Sequence, residues 1–543
     1  MNSLVVGTIA VLLLGLGYRF YGRWIAGLWD INPKKKTPAH AMRDGVDYVP
    51  AKNWLILFGH HFAGIAGAGP IIGPVVAAAL WGWVPAVVWI VLGSVFIGAV
   101  HDFSALMASI RHQGKSIAQV AETVMGRRAR VLLACFLWLS LVLVVAVFAA
   151  VTAKTLVEEP RIVIPTFGLI PVAVLVGLMI YRWRAGSFLS TAAGLLLLAG
   201  LLVLGHFVPL SWGSMTGWIV ILLAYAFVAS IIPVNILLQP RDYLSTFILF
   251  FGLLLGYLGL ALSRPAMNTP AFVSFSSAQG PLWPMLFVLI ACGAVSGFHS
   301  LIASGTTSKQ LDNERDARRI GYGAMILEGV LAVLALLAVT AGLRWSAEGP
   351  GGAPVYPEML KGGNWIGTFG AGYGQLVAPL LGSTLGTLIA MTTLNAFVMT
   401  TLDSATRIAR YITEELFGEA WGIRLFKNHF ASTTLIVLAA AYLAMGNWTA
   451  IWPIFGASNQ LVAALGLMVM STYLLARKKP TGYTLYPALF MLVTTLGALA
   501  WQIQGFLKAG NHMLSSIGII LVLLALFLVV ENVRMVAGKR KMS

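Results

Sequence analysis

Apolar runs of about 20 residues recur along the whole of this 543-residue chain, and their number constrains the fold more than any other feature. They fall near 2–28, 53–79, 85–110, 130–157, 163–181, 187–208, 214–238, 243–263, 282–305, 320–342, 371–402, 430–446, 449–475, 482–505 and 513–533. A helix of that length, rising about 1.5 Å per residue, crosses a hydrocarbon layer of about 30 Å. In lipid, backbone N–H and C=O groups are satisfied only inside a helix or a closed barrel. The pattern therefore predicts an all-α, polytopic membrane protein of about 15 transmembrane helices. Composition agrees: 10% of residues are charged, against about 25% in a soluble domain. Too few polar residues remain to cover a water-facing surface, which excludes a soluble enzyme or soluble binding module.

The net charge of +17 raises the question of a nucleic-acid partner, and its placement answers it. With the N-terminus outside, 30 of the 36 basic residues fall in cytoplasmic connections and span ends. The outer side keeps six: Lys154, Arg161, Arg264, Arg344, Lys361 and Lys508. This is a positive-inside pattern. It predicts an outside N-terminus, a cytoplasmic C-terminus, and lipid headgroups rather than nucleic acid as the neighbours of the charge. The first run has no Lys or Arg before it, unlike a signal peptide, and reads as an uncleaved span. Cys135 and Cys292 sit in apolar runs without disulfide or metal spacing and read as small hydrophobes. The largest loops, about 343–370 outside and 403–429 inside, are too short for a soluble domain.

Two spans carry helix-breaking, polar sequence. The second, 53–79, contains His60, His61, Gly64, Gly67, Gly69, Pro70, Gly73 and Pro74. The prolines lack amide donors and clash with the preceding turn. The ninth, 282–305, contains Cys292, Gly293, Ser296, Gly297, Phe298, His299, Ser304 and Gly305. The ninth is seven places after the second in the order of spans, an odd number, so the two run in opposite directions. Paired interrupted helices in inverted halves point to a transporter's midplane site, where half-helix N-termini hold an anion. His60, His61, Gly64, Gly67, Gly69, Ser296, Phe298, His299 and Ser304 are therefore candidate substrate-binding residues. A kinked, closely packed helix is the plainer reading of the same residues.

Ion coupling has its own candidates. Asp102, beside His101, and Glu328 are ionisable groups at membrane depth, where charge is costly and usually faces the bundle interior. Thr392, Thr393, Asn395, Thr400, Thr401, Asp403 and Ser404 form the polar inner half of the eleventh span, with Thr392, Thr393 and Thr400 as the candidates for ion coupling. By analogy with five-plus-five inverted-repeat transporters, that helix flanks a cation site, although such hydroxyls also bond their own backbone. Gln239, Arg241 and Asp242 form a polar turn after Pro233, which is expected to kink the seventh span, and are candidate gate residues.

These stretches together resemble the carbon starvation protein family, CstA. The resemblance rests on His60-His61-Phe62 through Pro74, His101-Asp102-Phe103, Leu238-Gln239-Pro240-Arg241-Asp242-Tyr243, and Ser296-Gly297-Phe298-His299 through Lys309. It covers most of 1–420, taken as the transporter core, while 421–543 resembles the family's C-terminal transmembrane helices. It implies a bacterial inner-membrane transporter related to the amino acid–polyamine–organocation superfamily, with a LeuT-like inverted-repeat core. It also implies uptake of pyruvate, with protons, or of peptides when carbon is scarce.

The leading reading is thus a secondary active transporter, a symporter importing a small carboxylate such as pyruvate with H+ or Na+. Peptide uptake is the alternative. A metal-dependent membrane enzyme built on the histidines is remote, because no HExxH or comparable spacing is present. No catalytic residue, metal or cofactor is expected. The absence of a G-x-x-x-x-G-K-[ST] motif points to an ion gradient as the energy source.

Overall fold

The computed structural model describes residues 1–347, 353–446 and 448–542. Part of the expected 343–370 loop thus lies outside the described residues. The described residues are mostly helical. Among the described residues eleven helices are long and apolar enough to cross a membrane, and a bent pair makes a twelfth.

The helices that position the site are α1 (Ser3–Gly27), the pair α2 (Trp54–Ile65) and α3 (Gly69–Trp81), α4 (Trp83–Arg111) and α5 (Arg127–Glu158). They continue with α6 (Met215–Ile231), α7 (Leu238–Ser263), α8 (Leu282–Leu289) and α9 (Gly297–Gly305). The last are α10 (Glu314–Gly342), α11 (Trp365–Leu381), α12 (Ser383–Thr413) and α13 (Trp448–Ala476). Helices at Pro160–Ile180, Ser187–Phe207, His429–Ala444, Gly482–Lys508 and His512–Met542 pack around them. Among the described residues the β-structure is one two-stranded hairpin, Ser276–Ser277 with Gly280–Pro281, plus two isolated bridges.

Both glycine-rich spans are interrupted. α2 begins at an Asn53 cap, whose side chain accepts from Ile56 N–H at 3.0 Å. It stops at Ile65 because Ala66 leaves the helical region (φ −77°, ψ 46°). α3 restarts with Pro70 in its first turn, where a missing amide proton costs nothing, and is bent by 43° from α2. In the other span Ile290 leaves the helix (φ −91°, ψ 51°) and Ser296 is extended before α9. The two interrupted spans pack against each other antiparallel. His60 and His61 meet Thr306 and Thr307, Gly64 faces Ile302, Gly69 faces Cys292, and Gly73 faces Leu289 and Ile290. A Cβ on Gly73 would lie 2.5 Å from the Leu289 carbonyl oxygen, so only glycine lets the backbones approach this closely.

Two expectations need correction. The run at 371–402 is not one span. Gly382, with φ +78°, ends α11 and starts α12, which reaches Thr413. The polar residues Thr392 to Ser404 therefore lie in the middle and second half of a single 31-residue helix. The seventh run does not kink at Pro233 but stops before it. Ile232 takes the extended conformation that a following proline favours (φ −63°, ψ 142°), and the carbonyls of Ala229 in α6 and of Ile232 accept from the Arg407 guanidinium.

One end of the bundle gathers most of the ion pairs: Arg111–Glu314, Arg130–Glu419, Arg407–Asp47 and Lys479–Asp30. The chain begins at the opposite end, where Asn2 bridges Ala266 beyond the end of α7.

Candidate functional site

The two breaks are held open by specific caps. Thr401 on α12 places its hydroxyl 3.3 Å from the Gly64 carbonyl and 3.0 Å from that of Phe397. It thus shares one donor between the break and its own helix. Gly67 lies beneath Thr401 and Phe148. At the second break Asn459 on α13 caps α9: its Oδ1 accepts the Phe298 N–H at 2.8 Å, and its Nδ2 donates to Ser296 Oγ at 3.0 Å. The next residue, Gln460, donates to the Phe287 carbonyl at 2.6 Å, on the other side of the same break. Amides and carbonyls that the breaks set free are in this way partly paired by side chains.

Around this crossing lie two clusters of fully buried ionisable groups. In the first, Asp102 bridges two imidazoles, accepting at one oxygen from His101 Nδ1 and at the other from His299 Nδ1, each at 2.9 Å. Ionised Asp102 thereby fixes the proton of each ring on Nδ1. The Nε2 of His299 faces Glu328 Oε2 at 3.3 Å. With Nδ1 already protonated, a neutral His299 presents a lone pair to the carboxylate. The contact is favourable only when one proton lies on His299 Nε2 or on Glu328. Neither Glu328 oxygen has a hydrogen-bond partner among the described residues, nor have the Nε2 atoms of His61, His101 and His299. Buried polar groups are seldom left so, and each demands a functional or structural reason.

The second cluster lies nearer the basic end. His60 Nδ1 meets Asp242 Oδ2 at 2.6 Å, and His60 Nε2 lies 2.5 Å from Thr306 Oγ1 and 2.9 Å from Gln310 Nε2. Gln310 accepts from Gln239 at 2.5 Å. The other Asp242 oxygen takes Arg241 at 3.1 Å. Arg241 also pairs with Asp403, and Tyr225 donates to the same Asp403 oxygen at 2.8 Å. Arg241, Asp242 and Asp403 are at most 1% exposed, so each charge depends on its partner. The network ties α7 to α2, α12 and α6 at one level. Beyond the spans, Asp47 accepts from Arg407 at 2.9 Å and from Tyr411 at 2.5 Å. Burial pushes the Asp47 carboxyl up, but Arg407, Arg410, Lys309 and the Tyr411 hydroxyl outweigh it and hold it below its usual 3.8.

Of the residues singled out from the sequence, His60, His61, Asp102, His299, Glu328, Gln239, Arg241 and Asp242 are all buried and fall in or beside these two clusters. Gly64, Gly67 and Gly69 line the first break, and Ser296 and Phe298 the second. Ser304 instead donates to the Ser300 carbonyl of its own helix at 2.7 Å. The threonine face does not meet the breaks as expected. Thr393 and Thr400 donate to the carbonyls of Ile389 and Ala396 one turn back. Thr392 lines an apolar groove with Phe207, Phe251 and Leu388. Thr401, of the same polar stretch, is the hydroxyl that reaches the first break. Tyr225, Gln310, Asn459 and Gln460 were not singled out, although Ser458-Asn459-Gln460 is a polar triplet within an apolar run. Among the described residues no group of three or more His, Cys, Asp and Glu side chains is arranged to hold a metal ion.

Comparison with known proteins places this geometry in a lineage. Crystal structures of the Eremococcus coleocola manganese transporter superpose with TM-scores of 0.51 and 0.55 at 13% and 14% identity, covering 91% of this chain and 99% of theirs. That likeness shows a shared fold. The peptide transporter CstA of Escherichia coli is 33% identical over 92% of this chain and 81% of its own. The peptide transporter CstA of Bacillus subtilis is 31% identical over 98% and 97%. The pyruvate/proton symporter BtsT of Escherichia coli is 32% identical over 92% and 81%. The family described as carbon starvation protein CstA matches residues 2–345 and 358–498. With the interrupted spans and their histidine–carboxylate clusters, this match establishes that the chain belongs to the carbon starvation protein CstA family.

Proposed function

We propose that this protein is a secondary active transporter that imports pyruvate or a similar small carboxylate together with a proton. The observation that carries the reading is the His299–Glu328 contact beside the crossed breaks, which requires one proton to be favourable. Next to it, His61 Nε2 has no partner among the described residues, and the half-helix α9 directs its N-terminus toward the same break. A carboxylate entering here gains the positive end of a helix and an imidazole donor. Protonation of the His299–Glu328 pair offsets the negative charge that the substrate brings. Asp102 orients both histidines in this reading, and the Arg241–Asp403–Asp242–His60 network closes the path toward the basic end. The basic end is the cytoplasmic one, by the positive-inside rule, in a bacterial inner membrane.

Peptide import is the second reading. It is favoured by the relatives named peptide transporters and by two buried acids, Asp102 and Glu328, able to receive a peptide amine. Labelled pyruvate uptake into proteoliposomes, with imposed proton or sodium gradients and unlabelled dipeptides as competitors, separates the two. Accumulation driven by an inward proton gradient and indifferent to dipeptide supports the carboxylate symporter. Accumulation of labelled dipeptide without pyruvate uptake moves the assignment to peptides.

A further inference from the structure

At the basic end, away from both clusters, the ends of α4 and α13 and the segments following α1 and α13 line an open cavity of about 280 Å³. Its wall carries four cations, Lys35, Arg111, Arg477 and Lys479, and one carboxylate, Asp30. Two of the cations are tied down. Arg111 pairs with Glu314 and donates to the Asp30 carbonyl at 3.0 Å. Lys479 pairs with Asp30 and donates to the Leu28 carbonyl at 2.9 Å. Lys35 and Arg477 have no carboxylate partner within ion-pair distance among the described residues. Arg477 is held over the Tyr473 ring, 4.7 Å from its centre, which presents its planar fork at a fixed place. Against the four cations stand Asp30 in the wall and Glu314 behind it, so an excess of two positive charges faces a recess large enough for a small polar group.

We propose that this cavity binds a phosphate-bearing anion. Two net positive charges, one on an oriented guanidinium, match a phosphate better than a lone carboxylate. Two sources carry this chemistry: the headgroup of an anionic phospholipid and free phosphate. Arg111 and Arg477 stand at the ends of two helices long and apolar enough to cross a membrane, so the cavity sits at the level of lipid headgroups. The bound anion removes the mutual repulsion of the cations. It fastens the segment after α1 to the ends of α4 and α13.

The test uses the full chain in nanodiscs of phosphatidylcholine alone or with phosphatidylglycerol, read by thermal unfolding and by native mass spectrometry of retained lipid. Inorganic phosphate is titrated into the phosphatidylcholine sample. We expect one of the two anions to raise the unfolding temperature, and the K35Q/R477Q double variant to need at least tenfold more of it. Stabilisation by phosphatidylglycerol alone identifies the lipid as the source, and stabilisation by inorganic phosphate alone identifies the soluble anion. Asp30→Asn, which removes the one carboxylate in the wall, should tighten binding, a gain that misfolding does not imitate. The proposal is overturned if neither anion stabilises the protein, if K35Q/R477Q responds as the wild type does, or if Asp30→Asn leaves binding unchanged or weaker.

Discussion

Arg241 illustrates how narrowly the buried charges are balanced. It is 1% exposed and lies between Asp403 and Asp242, with Tyr225 closing the pair. Removing one partner of a buried pair leaves an uncompensated charge, at a cost of about 3–5 kcal/mol. Asp403→Ala should therefore lower the unfolding temperature in detergent markedly. Combining it with Arg241→Met should recover part of the loss, because the double variant leaves no orphan guanidinium. Equal damage in the single and double variants would show that the pair does not act as a unit. His61 differs: its Nδ1 meets Thr307 at 2.8 Å while its Nε2 has no partner. His61→Ala should cost less stability than Asp403→Ala yet abolish uptake. Retention of uptake would remove His61 from the site.

At the scale of elements, the breaks depend on partners from other helices. Asn459→Ala takes away the α9 cap and leaves the Phe298 amide unpaired, a loss of about 1–2 kcal/mol. Asn459→Asp keeps the acceptor and should retain more uptake than Asn459→Ala; the reverse order would show that capping is not what Asn459 provides. The loop carrying Asp47 is tied to α12 by a carboxyl held below its ordinary value of 3.8. A depressed folded-state value stabilises above the unfolded one and is lost as pH falls through the folded one. Protection of residues 42–52 from hydrogen exchange should thus be unchanged between pH 7 and pH 5 and weaken only below about pH 4, whereas Asp47→Asn should already be weaker at pH 7 and lose its difference from the wild type at low pH. The two interruptions were legible because glycine and proline act locally on the backbone, and His60, His61 and His299 stand beside them in the chain. The supports were less so: Asn459 and Tyr225 come from distant helices, and no local rule pairs them with a break. The threonine face of α12 was legible as a face, but not in its bonding. Helical spacing shows which hydroxyls share a face, but Thr393 and Thr400 find acceptors one turn back in their own helix.

For the molecule as a whole, apolar run length located most helices, since lipid imposes one length on all of them. It failed at 371–402, where the hairpin turn at Gly382 lies inside an unbroken apolar stretch. The proposed orientation rests on the basic end. Single cysteines placed at Lys35 and at Arg264 should react with a membrane-impermeant thiol reagent from opposite sides, Arg264 from outside intact cells, and labelling of Lys35 alone from outside would invert the assignment. The central claim is that the crossing of the two interrupted spans is where substrate and proton meet. It is tested most directly by pyruvate-dependent proton uptake into proteoliposomes, measured beside pyruvate counterflow, for the wild type and Glu328→Gln. The account predicts that Glu328→Gln still exchanges pyruvate across the membrane but neither takes up protons with it nor accumulates it against a gradient. Undiminished proton-driven accumulation by Glu328→Gln would contradict it and place the coupling proton elsewhere in the protein.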